Sequence, residues 1–154
     1  MIHLLTHTSE GEPGSYYSYN GDRFGRLDSV IQGVSGVNFC ELLVQKIIDP
    51  LQLEHTAPNP KSSANCMLTT QSARDAFEQE MPIGYTSNGE RRMTYPSYFG
   101  TAAGLVASVL DMAEFSLALD KNMFFSQKTK ELMFTPMVSN SGEMLPYGLG
   151  WFIH

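Results

Sequence analysis

Apolar residues recur at helical spacing in four stretches of the chain. From Arg23 to Ser35, residues Phe24, Leu27, Val30, Ile31 and Val34 share one face, and Gly36 stands where a left-handed C-terminal cap belongs. A second helix is expected from Phe39 to Ile48. Asn38 is its N-cap, Glu41 the capping-box partner three residues on, and Phe39, Leu42, Leu43 and Ile47 form its apolar face. Asp49-Pro50 is expected to end it, because a residue before proline disfavours helical backbone. A third helix runs from Val109 to Leu119 behind the capping pair Ser108 and Asp111, and a fourth from Gln127 to Phe134 behind Ser126, stopped by Thr135-Pro136.

The remaining stretches read differently. Met1 to Leu5 has the pattern of the last turn of a helix, and Thr8 to Gly21 is a polar, tyrosine-rich loop with turn chemistry at Glu12-Pro13-Gly14 and Asn20-Gly21. Ala57 to Met93 holds three prolines and scattered polar residues and reads as short strands and loops. Within it, Ser87-Asn88-Gly89-Glu90 is a hairpin turn setting Gly84 to Thr86 opposite Arg92 to Tyr95. A glycine-punctuated loop spans Phe99 to Gly104, and Tyr147 onward reads as a strand after a glycine-rich turn. The pattern as a whole predicts a mainly helical α+β unit with one small, irregular β element and one C-terminal strand.

Composition narrows the function. At 154 residues, 42% hydrophobic and 17% charged, the chain is long enough for one domain with a real core. A net charge of -6, with only ten Lys and Arg and those scattered, argues against nucleic acid as a partner. No apolar run approaches a membrane span, and Met1 to His7 lacks the basic start and long apolar stretch of a signal peptide. The two cysteines, Cys40 and Cys66, have no metal-ligand spacing, and two buried free thiols are preferred over a disulfide. The sequence calls for no cofactor and no metal, since it has no phosphate-binding glycine loop and no zinc motif. His3 and His7 are spaced to share a helix face, but no acidic ligand lies between them, and they read with His55 as framework.

Seven strings, in order and spacing, carry a family resemblance. They are LLTHTSE (Leu4 to Glu10), PGSYYSYNGDRF (Pro13 to Phe24) followed by GVSG (Gly33 to Gly36), DPLQLEHT (Asp49 to Thr56), TAAGLVASVLDMAEF (Thr101 to Phe115), FFSQKTKELMFTP (Phe124 to Pro136) and YGLGWFI (Tyr147 to Ile153). With them the chain resembles the serine hydrolases of the β-lactamase and penicillin-binding-protein-like family, class C in type. The match is weak only from about Lys61 to Arg91. The resemblance implies an enzyme with a helical lobe inserted into an α/β lobe. On that pattern, residues 1–154 form a single unit corresponding to the central helical lobe, truncated at both ends: the Ser-x-x-Lys segment and the C-terminal sheet segment are absent.

In such enzymes the serine of Ser-x-x-Lys attacks an acyl carbon while the lysine and a tyrosine of a Tyr-x-Asn motif handle its proton. Read without a gap from Pro13-Gly14 to Gly36, the motif falls on Tyr19-Asn20-Gly21. This makes Tyr19 the general base, working with the missing Ser-x-x-Lys, and puts Asn20 and Gly21 at the substrate. A one-residue shift to Ser18-Tyr19-Asn20 would lose the tyrosine. Gly21 replaces the usual Asn and removes an amide donor and acceptor, so an ester becomes as good a substrate candidate as an amide, a β-lactam or a D-Ala peptide. A tyrosine without its nucleophile catalyses nothing, so the chain alone is expected to be inactive. The expected partners are a small acyl substrate and the missing α/β lobe, with oligomerisation through an exposed apolar face in that lobe's absence. The sequence does not fix the compartment; a periplasmic or other extracytoplasmic setting is compatible with the family resemblance. The rival reading is a stand-alone binding or interaction module derived from the same lobe, which would show a polar face instead.

Overall fold

A computed structural model of the chain describes residues 1–91 and 97–153. Eight α-helical segments and one two-stranded sheet make up its regular structure among those residues. In order they are α1 (Ile2–Leu5), α2 (Gly21–Phe24), α3 (Leu27–Ser35), α4 (Phe39–Leu43), a wide π-helical turn (Val44–Ile48), α5 (Asp49–Leu51), β1 (Thr56–Pro58), α6 (Gln71–Glu80), β2 (Leu105–Ala107), α7 (Val109–Asp120) and α8 (Gln127–Met133). This is the mainly helical α+β architecture expected from the pattern.

Side-chain caps start the helices where the sequence placed them. Asn38 accepts from Glu41 N–H at 3.0 Å, Ser108 from Asp111 at 3.1 Å and Ser126 from Thr129 at 3.2 Å. Each such bond satisfies an N-terminal amide that has no partner within its helix. Gly36 ends α3 at φ 77°, the left-handed cap.

Four expectations need correction. The helix foreseen from Arg23 to Ser35 starts earlier, at Gly21 behind the Asn20 cap, and breaks at Gly25 and Arg26, where the Tyr98 hydroxyl packs against Gly25. Pro50 does not end the second helix, whose helical course continues to Leu51 and stops at Gln52, φ 54°. The π-helical turn explains this: Asp49 N–H reaches back five residues to the Val44 carbonyl, and the wider turn accommodates a ring that an α-helix would reject. The segment read as strands and loops contains helix α6, capped by Thr70 on Ala73 N–H. None of its residues is fully buried, so its apolar periodicity is faint; capping, a Gln71 to Asp75 side-chain bond and good helix formers carry it. The C-terminal strand is reduced to one antiparallel bridge, Tyr147 with Phe152, because the segment turns back on itself at Gly150.

The hairpin at Ser87 to Glu90 is present, with Thr86 N–H on the Glu90 carbonyl at 2.8 Å and Tyr85 bridging Arg91. Its expected partners Arg92 to Tyr95 lie outside the described residues. Strands β1 and β2 pair antiparallel, Thr56 opposite Ala107 and Pro58 opposite Leu105. Buried Asp111 ties α7 to this ribbon by accepting from His55 N–H at 2.9 Å and Thr56 Oγ1 at 2.6 Å.

The cysteines give a fifth correction, for Cys40 and Cys66 form a disulfide. Asn65 orders the loop before it, donating to the Pro58 and Asn59 carbonyls and accepting from Met67 and Leu68 N–H. That turn sets the two Cα atoms 6.0 Å apart, inside the range a disulfide spans. The bridge enters the main apolar cluster of Cys40, Leu43, Ile48, Leu53 and Phe99. It joins residues 26 apart, and closing a loop of that size restricts the unfolded chain. Reduction, or Cys66→Ser, is expected to lower the unfolding free energy by about 3 kcal/mol, read as a drop in urea midpoint. An unchanged midpoint would mean that the bridge carries no stability.

Candidate functional site

The loop from Thr6 to Asn20 has no helix or strand of its own, so side chains shape it. Thr6, His7 and Thr8 are buried. The Thr6 hydroxyl donates to the Ile2 carbonyl at 3.0 Å and shares a hydrogen bond with Thr8, which His3 Nδ1 also meets at 2.9 Å. Gly14 fixes the far side of the loop at φ 87°. Any Cβ there would lie 2.7 Å from Asn140 Oδ1, so the contact requires glycine. Its carbonyl accepts from Asn140 N–H at 2.9 Å while Asn140 Nδ2 donates to Pro13, fastening the loop to the turn at 139–143.

His7 sits at the centre of an aromatic cluster, with its backbone at φ 51°. Its ring lies tilted on Tyr19 at 4.4 Å, stacks on Phe24 at 5.1 Å and meets Tyr147 edge-on at 4.9 Å and Tyr17 at 6.2 Å. Its Nδ1 accepts from Asn20 N–H at 3.1 Å. A peptide N–H can only donate, so Nδ1 must be the bare nitrogen of a neutral ring with the proton on Nε2. Burial pushes the imidazole below its usual range. His3 and His7, spaced to share a helix face, are thus engaged with Thr8 and Asn20 respectively.

Tyr19 reaches outward, 66% exposed, with one ring face on His7. Burial raises the Tyr17 and Tyr147 phenols above their usual range, and the nearness of Tyr19 acts the same way. Those two keep their protons and serve as packing, which leaves Tyr19 as the phenol of the cluster that meets solvent.

Both polar atoms of the Asn20 side chain are bonded within the protein. Its Oδ1 caps α2 by accepting from Arg23 N–H at 3.0 Å, and its Nδ2 donates to Glu10. Bonds from Asn20 and then Ser18 hold the Glu10 carboxyl below the usual range, with the Arg23 guanidinium at 3.7 Å adding to them against a small cost of burial. Arg23 also donates to the Ser9 carbonyl at 2.7 Å. The Glu10–Asn20–Arg23 group was not foreseen. Its one sequence signal is that Asn20 stands three residues before Arg23, at cap spacing.

Gly21 is the first residue of α2, and a Cβ built there meets nothing within 4 Å. It opens onto a cavity of about 600 Å³ whose walls include Asp22, Arg26, Asp28, Tyr98 and Ala103. Asp28 pins one wall by accepting from Thr101 N–H at 2.9 Å. Burial, then the carboxylates of Asp28 and Asp22, pushes the Tyr98 phenol up, although a backbone bond from Ala102 opposes them. Gly21 thus lines an open pocket, Tyr19 stands two residues before it with its ring on His7, and Asn20 is engaged in capping α2 and in bonding Glu10.

Known proteins share this frame. All of residues 1–154 match the family described as Beta-lactamase. The chain is 26% identical over 148 residues to a D-aminopeptidase of Gluconobacter oxydans (strain 621H), covering 94% of this chain and 26% of that protein. It is 23% identical over 145 residues to penicillin-binding protein 4* of Bacillus subtilis (strain 168), covering 92% and 32%. Among solved structures, a penicillin-binding protein from Bacillus halodurans aligns with TM-score 0.69 at 20% identity, covering 96% of this chain and 54% of that one. The D-alanine carboxypeptidase AmpC from Burkholderia cenocepacia aligns with TM-score 0.60 at 21% identity, covering 88% and 41%. The chain thus spans about a quarter to a third of the length of these curated relatives. With a family match from the first residue to the last, on a helical frame carrying the tyrosine loop, the chain belongs to the β-lactamase family.

Proposed function

We propose that this chain is the helical lobe of a serine hydrolase and supplies Tyr19 as the general base of its acyl-transfer site. The Ser-x-x-Lys nucleophile comes from polypeptide outside these 154 residues. The observation that carries this reading is the setting of Tyr19: an exposed phenol, its ring laid on His7, on a loop pinned at both ends. In the reaction, Tyr19 takes the serine proton as the serine oxygen bonds to the acyl carbon and passes it to the amine or alcohol that leaves as the scissile bond breaks; water then cleaves the acyl-enzyme ester, releasing the acid and giving its proton back to serine. Relatives named for D-amino-peptide, D-alanine and amide chemistry support a small acyl substrate of the D-amino amide or ester kind.

The surface supports a missing partner lobe. Val109 and Leu110 at the start of α7 are 84% and 75% exposed, and Met112, Leu117, Leu132 and Met144 are exposed too. An apolar hollow of about 550 Å³ lies among Phe39, Leu42, Ile47, Phe115, Phe124 and Trp151. A self-sufficient binding module would present a polar face, and apolar exposure on this scale favours coverage by further polypeptide. The disulfide supports a setting outside the cytoplasm, where such bonds persist.

The test begins with the intact mass and N-terminal sequence of the native gene product. A product carrying Ser-x-x-Lys upstream that hydrolyses a p-nitrophenyl ester, and loses about 10²-fold or more in kcat on Tyr19→Phe, is the expected result. A native product bounded by Met1 and His154, or full activity in Tyr19→Phe, overturns the proposal. The chain by itself is expected to show no turnover and to bind a hydrophobic dye or self-associate. A monodisperse monomer that binds no dye would count against the missing lobe.

Gly21→Asn gives an independent prediction. The added side chain has room, so the fold should keep its melting temperature while the pocket mouth narrows and gains an amide. In the whole enzyme this is expected to shift the kcat/KM ratio toward amides over esters. An unchanged ratio would remove Gly21 from substrate selection.

A further inference from the structure

We propose that His7 is the positioning residue for Tyr19, a latch that holds the tyrosine's backbone from both sides and releases it when the imidazole is protonated. The inference rests on reading Tyr19 as the catalytic base. Three contacts converge on it. The His7 carbonyl accepts from Ser18 N–H at 2.8 Å, and His7 Nδ1 accepts from Asn20 N–H at 3.1 Å. The residues on either side of Tyr19 are therefore both bonded to His7, and the His7 ring lies against the Tyr19 ring at 4.4 Å. No other residue in the loop makes all three contacts.

The latch needs a bare Nδ1. Protonation puts a hydrogen where the Asn20 N–H points, turning an acceptor into a second donor and setting two N–H groups against each other. It also places a charge in a side chain only 3% exposed. Around the ring stand Tyr17 and Tyr19 from the loop, Phe24 from α2 with Arg23 beside it, and Tyr147 from the C-terminal turn; Glu10 joins through Asn20, and His3 lies on α1. Burial keeps the Tyr17 and Tyr147 phenols neutral through the range in which imidazole titrates, and bonds from Asn20 and Ser18 hold the Glu10 carboxyl below its usual range.

The sign follows from the direction of the His7 shift. Burial lowers the folded imidazole below its usual value of 6.5. The latch is therefore complete above about pH 6.5 and is lost as pH falls through the lowered folded value. Acid opens the Tyr19 segment before it unfolds the core around the disulfide.

The test uses the isotope-labelled native gene product, in which the exposed apolar face has its covering polypeptide, and needs no turnover. Imidazole nitrogen shifts should show His7 as the Nε2–H tautomer at pH 7.5. Hydrogen exchange of the Asn20 amide, corrected for its intrinsic pH dependence, should be protected there and lose at least tenfold of that protection in acid, while the Ser108 amide stays protected. His7→Asn keeps an oxygen near the Nδ1 position and tolerates the left-handed backbone, so it should hold Asn20 at every pH tested. His7→Phe keeps the ring packing without the acceptor and should lose Asn20 protection even at pH 7.5. An Nδ1–H tautomer, pH-independent Asn20 protection, or a His7→Phe chain with wild-type protection overturns the latch. The tautomer measurement stands even if both variants fail to fold. A silent Tyr19→Phe in the whole enzyme would refute the catalytic reading and leave these exchange results untouched, so the two failures are distinguishable.

Discussion

The bond from Asn20 N–H to the bare nitrogen of His7 is the constraint on which the candidate site depends. Fifteen residues from Thr6 to Asn20 run without a helix or strand, so their backbone amides must find partners one at a time. The chain supplies them from buried threonines, from His7 and from the turn at 139–143. Ordering such a loop costs conformational entropy at every residue, and apolar burial around the His7 ring offsets it. Helix α2 then starts directly from the loop because Asn20 caps it, so loop and helix are one mechanical unit. Tyr19 can be both exposed and fixed because its neighbours, and not its own side chain, are tied down.

The second half of the molecule shows the opposite balance. Helix α7 is held by Asp111 to the β ribbon on one side and shows Val109, Leu110, Met112 and Leu117 to solvent on the other. Its apolar residues surround the helix instead of forming one stripe, the pattern of a helix covered on more than one side. The hollow beside Trp151 repeats that imbalance, with aromatic walls and little to fill it. Secondary structure here is well specified by caps, while tertiary burial is incomplete. The two facts are compatible because capping is local and burial needs partners.

What could be read from the sequence follows the same division. Three caps were legible at Asn38, Ser108 and Ser126 because a capping residue and its helix are adjacent in the chain. The Thr70 helix escaped because its face is polar and its apolar period faint. Pro50 misled because the rule for proline assumes an α-helical turn, and the chain widens that turn instead. The Cys40–Cys66 bridge depends on how Asn65 folds a loop far from α4, and no spacing rule carries that information. At the candidate site, the order of the motifs pointed to Tyr19, but the bond from Asn20 to His7 joins positions thirteen apart across an irregular loop and has no periodicity to betray it.

The engagement of Asn20 bears on how this chain differs from the family pattern. On the gapless reading of the resemblance Gly21 stands where the family pattern has asparagine, and the amide one residue earlier is already bonded within the protein. Its oxygen is needed by Arg23 N–H and its nitrogen by Glu10, so turning it toward a substrate would unseat the first turn of α2 and free a carboxylate. A cap of this kind contributes about 1 kcal/mol, enough to keep the side chain facing inward against a weakly bound ligand. Past Gly21 the open wall carries charge from Asp22, Asp28 and Arg26, and Tyr98 keeps its phenolic hydrogen there. That wall offers charge and volume, whereas the Asn20 amide is turned inward onto the protein.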